Sequence, residues 1–289
     1  MDAKEKLYKY LELTKDSMKP KTWDTHDRFT RHILNALQEV NINELEQIDL
    51  DVGYQLVRYY KRKTTNGNTS INKNLNYLKT VMRHYDVYTS FQRFKSLREE
   101  TAHFIRFSHD ELKKIVKYCK KDYSENSLVY RTFVYLALDS GMRKQELLSV
   151  QIRNIDFDKK YIYLEDTKNG NPRLAPFSKF SEDQIKQLIK VKPKRKYLFY
   201  NIQKKRQASS NDIRLFYRRM RLETGLDRIH THRFRKTFAS ILADNGMPLQ
   251  YIQKLLDHKS VKTTMVYIQY DSLKPLESYH KYNKWHVKK

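Results

Sequence analysis

Two imidazoles, a guanidinium and a phenol fall within 36 positions of this 289-residue chain, as His232, Arg235, His258 and Tyr267. A guanidinium can grip two oxygens of a phosphate at once. A phenol can attack that phosphate, and an imidazole can manage a proton near neutral pH. Such an attack builds negative charge on the non-bridging oxygens, so catalysis there is mainly positioning and charge stabilisation. Two arginines converging on one phosphate would meet that need. Arg143 is the second candidate, because it and Arg235 are both expected near helix starts, where free amides and the positive end of the dipole add to the attraction. The leaving 5′ oxygen needs a proton, and Lys168 is the candidate donor if neighbouring positive charge lowers its pKa. Tyrosine ionises only near pH ~10, so Tyr267 needs help to become a nucleophile. Taken singly, each residue has a plainer explanation: Lys168 is a turn lysine, and Tyr267 is one of 22 tyrosines. Only the combination points to phosphoryl transfer through a phosphotyrosine, with nucleic acid as substrate. His230, His232 and His258 could instead ligate a metal. No cysteine or close acidic set completes such a site, so no metal is expected.

These residues need a scaffold. Apolar positions at helical spacing predict helices over 3–15, 22–40, 52–63 and 70–87, a small four-helix unit over residues 1–87. Residues 88–106 carry mixed charge without a period and read as a linker. Residues 107–289 then form a second domain. Ser108 to Glu111 has the pattern of a capping box opening a helix over Leu112–Cys119. A buried helix follows through Phe133–Leu138. Gly141 suits its end, and Arg143 should begin the next helix, ending near Val150. Strands are expected at Ile155–Phe157, Tyr161–Leu164 and Leu174–Phe177. Asn169-Gly170 marks a hairpin turn between the last two, which puts Lys168 at its tip. From Ser181 the chain is helical again. The fold class is therefore mainly α with a small β-sheet.

Charge narrows the substrate. The net charge is +25, distributed as −3 over residues 1–51, +8 over 52–106 and +20 over 107–289. Such an excess costs self-repulsion, and a polyanion partner explains it. Arg58, Lys61, Arg62, Lys63, Lys73, Lys79 and Arg83, interleaved with Tyr59, Tyr60 and Tyr77, are the candidate phosphate contacts of the first unit. No run of about 18 apolar residues suggests a membrane span. The N-terminus lacks the apolar stretch of a secretory signal, and the lone Cys119 suits a reducing cytoplasm, where it reads as a small core residue.

Thr231-His232-Arg233-Phe234-Arg235-Lys236-Thr237-Phe238-Ala239 resembles the His-x-x-Arg box of the tyrosine recombinases. Leu255-Leu256-Asp257-His258 is similar to that family's Leu-Gly-His element, and Thr263-Thr264-Met265-Val266-Tyr267 to the segment bearing its nucleophile. Gly141-Met142-Arg143-Lys144-Gln145-Glu146-Leu147 resembles the box of its first arginine, and Lys168 matches its hairpin lysine. By that resemblance Arg143 and Arg235 clamp the phosphate and Lys168 is the general acid. His232 would handle the tyrosine proton, His258 would hydrogen-bond a phosphate oxygen, and Tyr267 would form a 3′-phosphotyrosyl bond. Two departures stand out: Asp257 replaces a glycine, adding negative charge that would raise the pKa of His258, and Lys236 replaces a frequent histidine.

The resemblance further implies a SAM-like core-binding domain beside the catalytic domain, the two forming a clamp on duplex DNA. It implies a homotetramer working through a Holliday junction on inverted-repeat core sites, with neither metal nor nucleotide cofactor, and an accessory directionality factor as a further partner. A prokaryotic, viral or mobile-element origin follows, with a nucleoid-associated place in the cytoplasm. The absence of an arm-binding domain ahead of residue 1 leans toward recognition of core sites only. In the tail 268–289, Leu273, Leu276, Tyr279, Tyr282 and Trp285 follow helical spacing, and by resemblance this stripe docks on a neighbouring protomer. Two other functions compete: a type IB-like topoisomerase, which would relax supercoils without a specific site, and a catalytically silent DNA-binding regulator.

Overall fold

The computed structural model describes residues 1–63, 67–99, 106–122, 124–165, 172–191 and 194–258. The chain divides into two compact units, Met1–Ala102 and His103–Lys289. Four helices build the first: α1 (Ala3–Leu13), α2 (Pro20–Glu39), α3 (Leu50–Lys63) and α4 (Asn68–His84). Asp2 and Glu5 cap the start of α1 reciprocally, satisfying amides that no helical carbonyl can reach. Pro20 opens α2 itself, where its missing amide costs nothing. One apolar stripe from each helix meets in a core that includes Leu7, Ile33, Leu56, Leu75 and Leu78.

Two expectations for this unit are corrected. Residues 88–99 are not linker but part of the first unit. A 3-10 turn at Ser90–Arg93 buries Phe91, and Phe94 follows it into the same core. The Phe91 ring lies where a Cβ on Gly53 would sit, at 2.9 Å, so α3 needs glycine there to receive it. Asn72 pins the segment by exchanging hydrogen bonds with both the amide and the carbonyl of Leu97, at 2.8 and 2.9 Å. Lys79, expected on the phosphate-binding face, points inward instead. It is buried, donates to the carbonyls of Gln92 and Phe94 and lies against the Phe91 and Phe94 rings. Charge alone placed it on the surface, but the carbonyls of the incoming segment lack partners and an ammonium supplies three donors. Tyr60 and Tyr77 are likewise core aromatics.

The second unit has seven helices among the described residues: α5 (His109–Lys121), α6 (Ser127–Ser140), α7 (Lys144–Leu148), α8 (Lys179–Val191), α9 (Ser210–Thr224), α10 (Thr231–Asp244) and α11 (Leu249–Leu256). Between α7 and α8 lie β1 (Ile155–Asp156), β2 (Tyr161–Leu164) and β3 (Arg173–Pro176), an antiparallel sheet in sequence order. A second two-stranded sheet, β4 (Tyr200–Asn201) with β5 (Arg206–Gln207), was not anticipated. The capping box at Ser108 and Glu111 is present, starting α5 at His109, earlier than expected. α6 is the central helix. Val129, Phe133, Val134, Leu136 and Ala137 are fully buried, and it packs against both α8 and α10. Cys119 is a core residue whose thiol burial pushes up to about 12, so it stays protonated and inert. Among the described residues, no helix is long and apolar enough to cross a membrane.

Candidate active site

Gly141 sets the geometry of the first arginine. It ends α6 with φ +60°, and a Cβ there would collide with the Phe238 ring and meet the Leu256 side chain at 2.9 Å. Only glycine combines that backbone with that closeness. The chain turns there, so Arg143 caps α7 rather than beginning it. Its amide donates to Glu146 Oε2 at 2.7 Å and its Nη1 to Glu146 Oε1 at 2.8 Å. The same guanidinium reaches Asp257, with Nη1 at 3.2 Å from Oδ2 and Nη2 at 2.9 Å from the carbonyl oxygen.

Arg235 rises from the second turn of α10 and is only 2% exposed. Its Nη1 donates to the Gly141 carbonyl at 2.8 Å and its Nη2 to the carbonyl of Leu256. A third guanidinium joins them. Arg173 Nη2 donates to Glu146 Oε2 at 2.7 Å and Nη1 to the carbonyl of Leu255. Three successive carbonyls, 255, 256 and 257, thus each receive one arginine. They are the carbonyls at the end of α11, which lack a helical partner and carry the negative end of its dipole. The helix stops at Asp257, in the left-handed conformation at φ 52° and ψ 54°. Glycine adopts that conformation freely and aspartate tolerates it, which accounts for Asp257 at a glycine position. His258 follows, its amide donating to the Gln253 carbonyl at 3.2 Å and its own carbonyl accepting from Gln253 Nε2 at 2.9 Å.

Burial lowers the His258 pKa to about 4, and the Arg235 and Arg143 charges push the same way. Asp257 does act to raise it, as expected, but is outweighed, so His258 is neutral at pH 7 and can donate a hydrogen bond without adding charge. Burial would raise the Glu146 carboxyl, but the Arg173 charge and the bonds from Arg143 hold it below the usual carboxylate range. His232 sits exposed in the first turn of α10, three residues before Arg235. The structure therefore joins Arg143, Arg235 and His258 around one helix end, with His232 on the same helix as Arg235. Lys168, Tyr267 and the tail 268–289 lie outside the described residues.

The other arginine of the box, Arg233, has a different task. It is buried over the Phe107 ring, 4.0 Å from its centroid, and pairs with Glu111 at 2.7 Å. It fastens the start of α5 to α10. Arg173 and Glu146 escaped the sequence reading. Arg173 faces the core opposite Leu164, while Leu174 is 48% exposed. An arginine pointing in beside a leucine pointing out reverses the usual strand pattern, and that reversal becomes visible only once the register is known. In the first unit Arg58, Lys61, Arg62, Lys63, Lys73 and Arg83 are exposed, with Arg62 and Lys63 both near Glu39. On the second unit Lys144, Arg214, Arg221 and Arg228 line a depression that also contains His230 and His232.

The description "Phage integrase family" matches residues 105–273. A probable integrase/recombinase of Acholeplasma phage L2 is 45% identical over 286 residues, 99% of each chain. Among solved structures, the Tn1549 transposon integrase in complex with a circular intermediate DNA superposes with a TM-score of 0.81 at 15% identity, covering 97% of this chain and 99% of that one. A lambda integrase tetramer bound to a Holliday junction gives 0.75 at 17%, covering 90% and 78%. The chain belongs to the phage integrase family, the tyrosine-type recombinases.

Proposed function

We propose that this protein is a site-specific DNA recombinase that cuts and rejoins duplex DNA through a 3′-phosphotyrosyl bond. The observation that carries this function is the convergence of Arg143, Arg235 and His258 on the end of α11. Two guanidiniums oppose the charge that builds on the non-bridging oxygens, and His258 contributes a hydrogen bond. The Tyr267 oxygen attacks phosphorus and its proton passes to His232. The bond from phosphorus to the 5′ oxygen breaks as Lys168 delivers a proton to that oxygen. A 5′-hydroxyl from another strand reverses these steps, so the phosphotyrosine conserves the bond energy and no nucleotide is consumed. The exposed cations of the first unit and the depression around Lys144 and Arg228 bind backbone phosphates. The protein works as a homotetramer on inverted-repeat core sites, through a four-way junction like that held by the lambda integrase tetramer. An accessory factor sets its direction.

The test begins with selection of bound sequences from random DNA. A duplex of the selected sequence, nicked beside the cleavage position, then traps the covalent adduct. We expect an adduct mapping to Tyr267 in the wild-type chain and none in Tyr267→Phe, with DNA affinity of that variant within about threefold. Adduct formation by the Phe variant would sink the assignment of the nucleophile. Relaxation of supercoiled plasmid without any preferred site would indicate a topoisomerase instead.

A further inference from the structure

Arg173 and Glu146 form an ion pair whose side chains are only 6% and 3% exposed. Burying such a pair strips water from both ions, and an apolar pair of similar volume is often as stable or more so. The Arg173 Nε is buried without a hydrogen-bond partner, a further cost. On β3 the inward face holds Arg173 and Ala175, so an arginine takes a buried position while the neighbouring Leu174 is left in water. Stability alone does not account for this expense. Position does. One end of the guanidinium holds Glu146, which grips both the amide and the side chain of Arg143. The other end holds the Leu255 carbonyl, three residues before His258. Among the described residues, Arg173 is the guanidinium that reaches Glu146 from the sheet, whereas Arg143 is local to α7.

We propose that Arg173 is a positioning residue for the strand-cleavage reaction, a role that rests on the recombinase function above. It aims Arg143 through Glu146 and fixes the turn that carries His258, without touching DNA. Its loss leaves Glu146 with Arg143 as its remaining guanidinium. The carboxylate is then free to draw Arg143 off the line of the phosphate, and a misplacement of about 1 Å can cost about 10²-fold in rate. The damage therefore falls on the groups, Arg143 and His258, that stabilise charge on the non-bridging oxygens of the scissile phosphate.

That consequence gives the test. The full chain, as wild type, Arg173→Met and Arg173→Lys, is assayed on the nicked duplex and on the same duplex with a methylphosphonate at the scissile position. The methylphosphonate carries one negative charge fewer, so it asks less of the arginines. For Arg173→Met we expect DNA affinity within about threefold of wild type and adduct formation about 10²-fold slower on the phosphodiester. On the methylphosphonate the deficit should shrink to less than about tenfold. If Arg173→Met does not fold, Arg173→Lys carries the same comparison, because an ammonium keeps the charge but cannot span both acceptors. A deficit equal on both substrates, or normal cleavage of the phosphodiester by either folded variant, overturns the role of Arg173 alone. Failure of the wild-type chain to form any adduct overturns the recombinase function, and this role with it.

Discussion

At the scale of single residues, His258 shows how surroundings decide what a side chain does. The sequence puts a carboxylate beside it, and a nearest-neighbour estimate therefore raises its pKa. Folding brings burial and two guanidiniums from chain segments more than twenty residues away, and these win. The sign of the pH dependence follows. The folded pKa, about 4, lies below the ordinary value of 6.5. Between these values the unfolded chain binds the extra proton, so the contribution of His258 to stability is whole above pH 6.5 and is lost as pH falls toward 4. We expect the imidazole resonances of His258 to titrate near the lower value in NMR. The drop in Tm between pH 7 and 4.5 should be smaller in His258→Gln than in wild type. A midpoint near 6.5 would contradict the arrangement of charges described here. Of the six catalytic candidates, the fold brings Arg143, Arg235 and His258 together. These were legible in the sequence because each residue type fits one chemical task, while Lys168 and Tyr267 lie outside the described residues. Arg173 and Glu146 were not legible, because an inward-facing arginine is defined by its partners and these are assembled only by the fold.

Elements repeat the pattern. Helices in both units were legible from apolar spacing, capping residues and proline, and their ends shifted by a few residues where caps intervened. The 88–99 segment was misjudged because its mixed charge hides two phenylalanines whose receiving groove, opened by Gly53, belongs to another helix. The short β4–β5 hairpin left too little sequence for alternation to register. Its fastening is polar: Arg206 and Lys204 both reach Asp212, whose carboxylate caps α9 with Ser209 and is held well below the usual range. Gly141 is the most demanding junction. Gly141→Ala would force a left-handed alanine, at about 1–2 kcal/mol, and press a methyl into Phe238 and Leu256. Overpacking adds about 1–3 kcal/mol. We expect a fall in Tm of several degrees and, in the soluble fraction, slower adduct formation, because the carbonyl that receives Arg235 moves with the residue. An unchanged melting curve would show that the junction is less tight than its geometry.

At the scale of the whole molecule, the net charge of +25 named a polyanion but could not say which cations face it. Lys79 and Arg58 separate the two uses of charge. Arg58→Ala should weaken DNA binding evenly across sequences and reduce the slope of log affinity against log salt by about 1. Lys79→Met should leave that slope unchanged and lower Tm instead, since it frees two buried carbonyls. A salt slope altered by Lys79→Met alone would return that residue to the DNA surface. The end of α11 has a consequence of another kind. This eight-residue helix rests on a small apolar cluster of Phe238, Ala239, Ile252 and Leu256, apart from the main core around α6. Three guanidiniums, those of Arg143, Arg173 and Arg235, each donate to one of the carbonyls at its end. We expect the segment to open as one cooperative unit, at a free energy below that of global unfolding. In amide hydrogen exchange its residues would share a single intermediate protection, and the opening event that exposes them would also carry His258 away from Arg143 and Arg235.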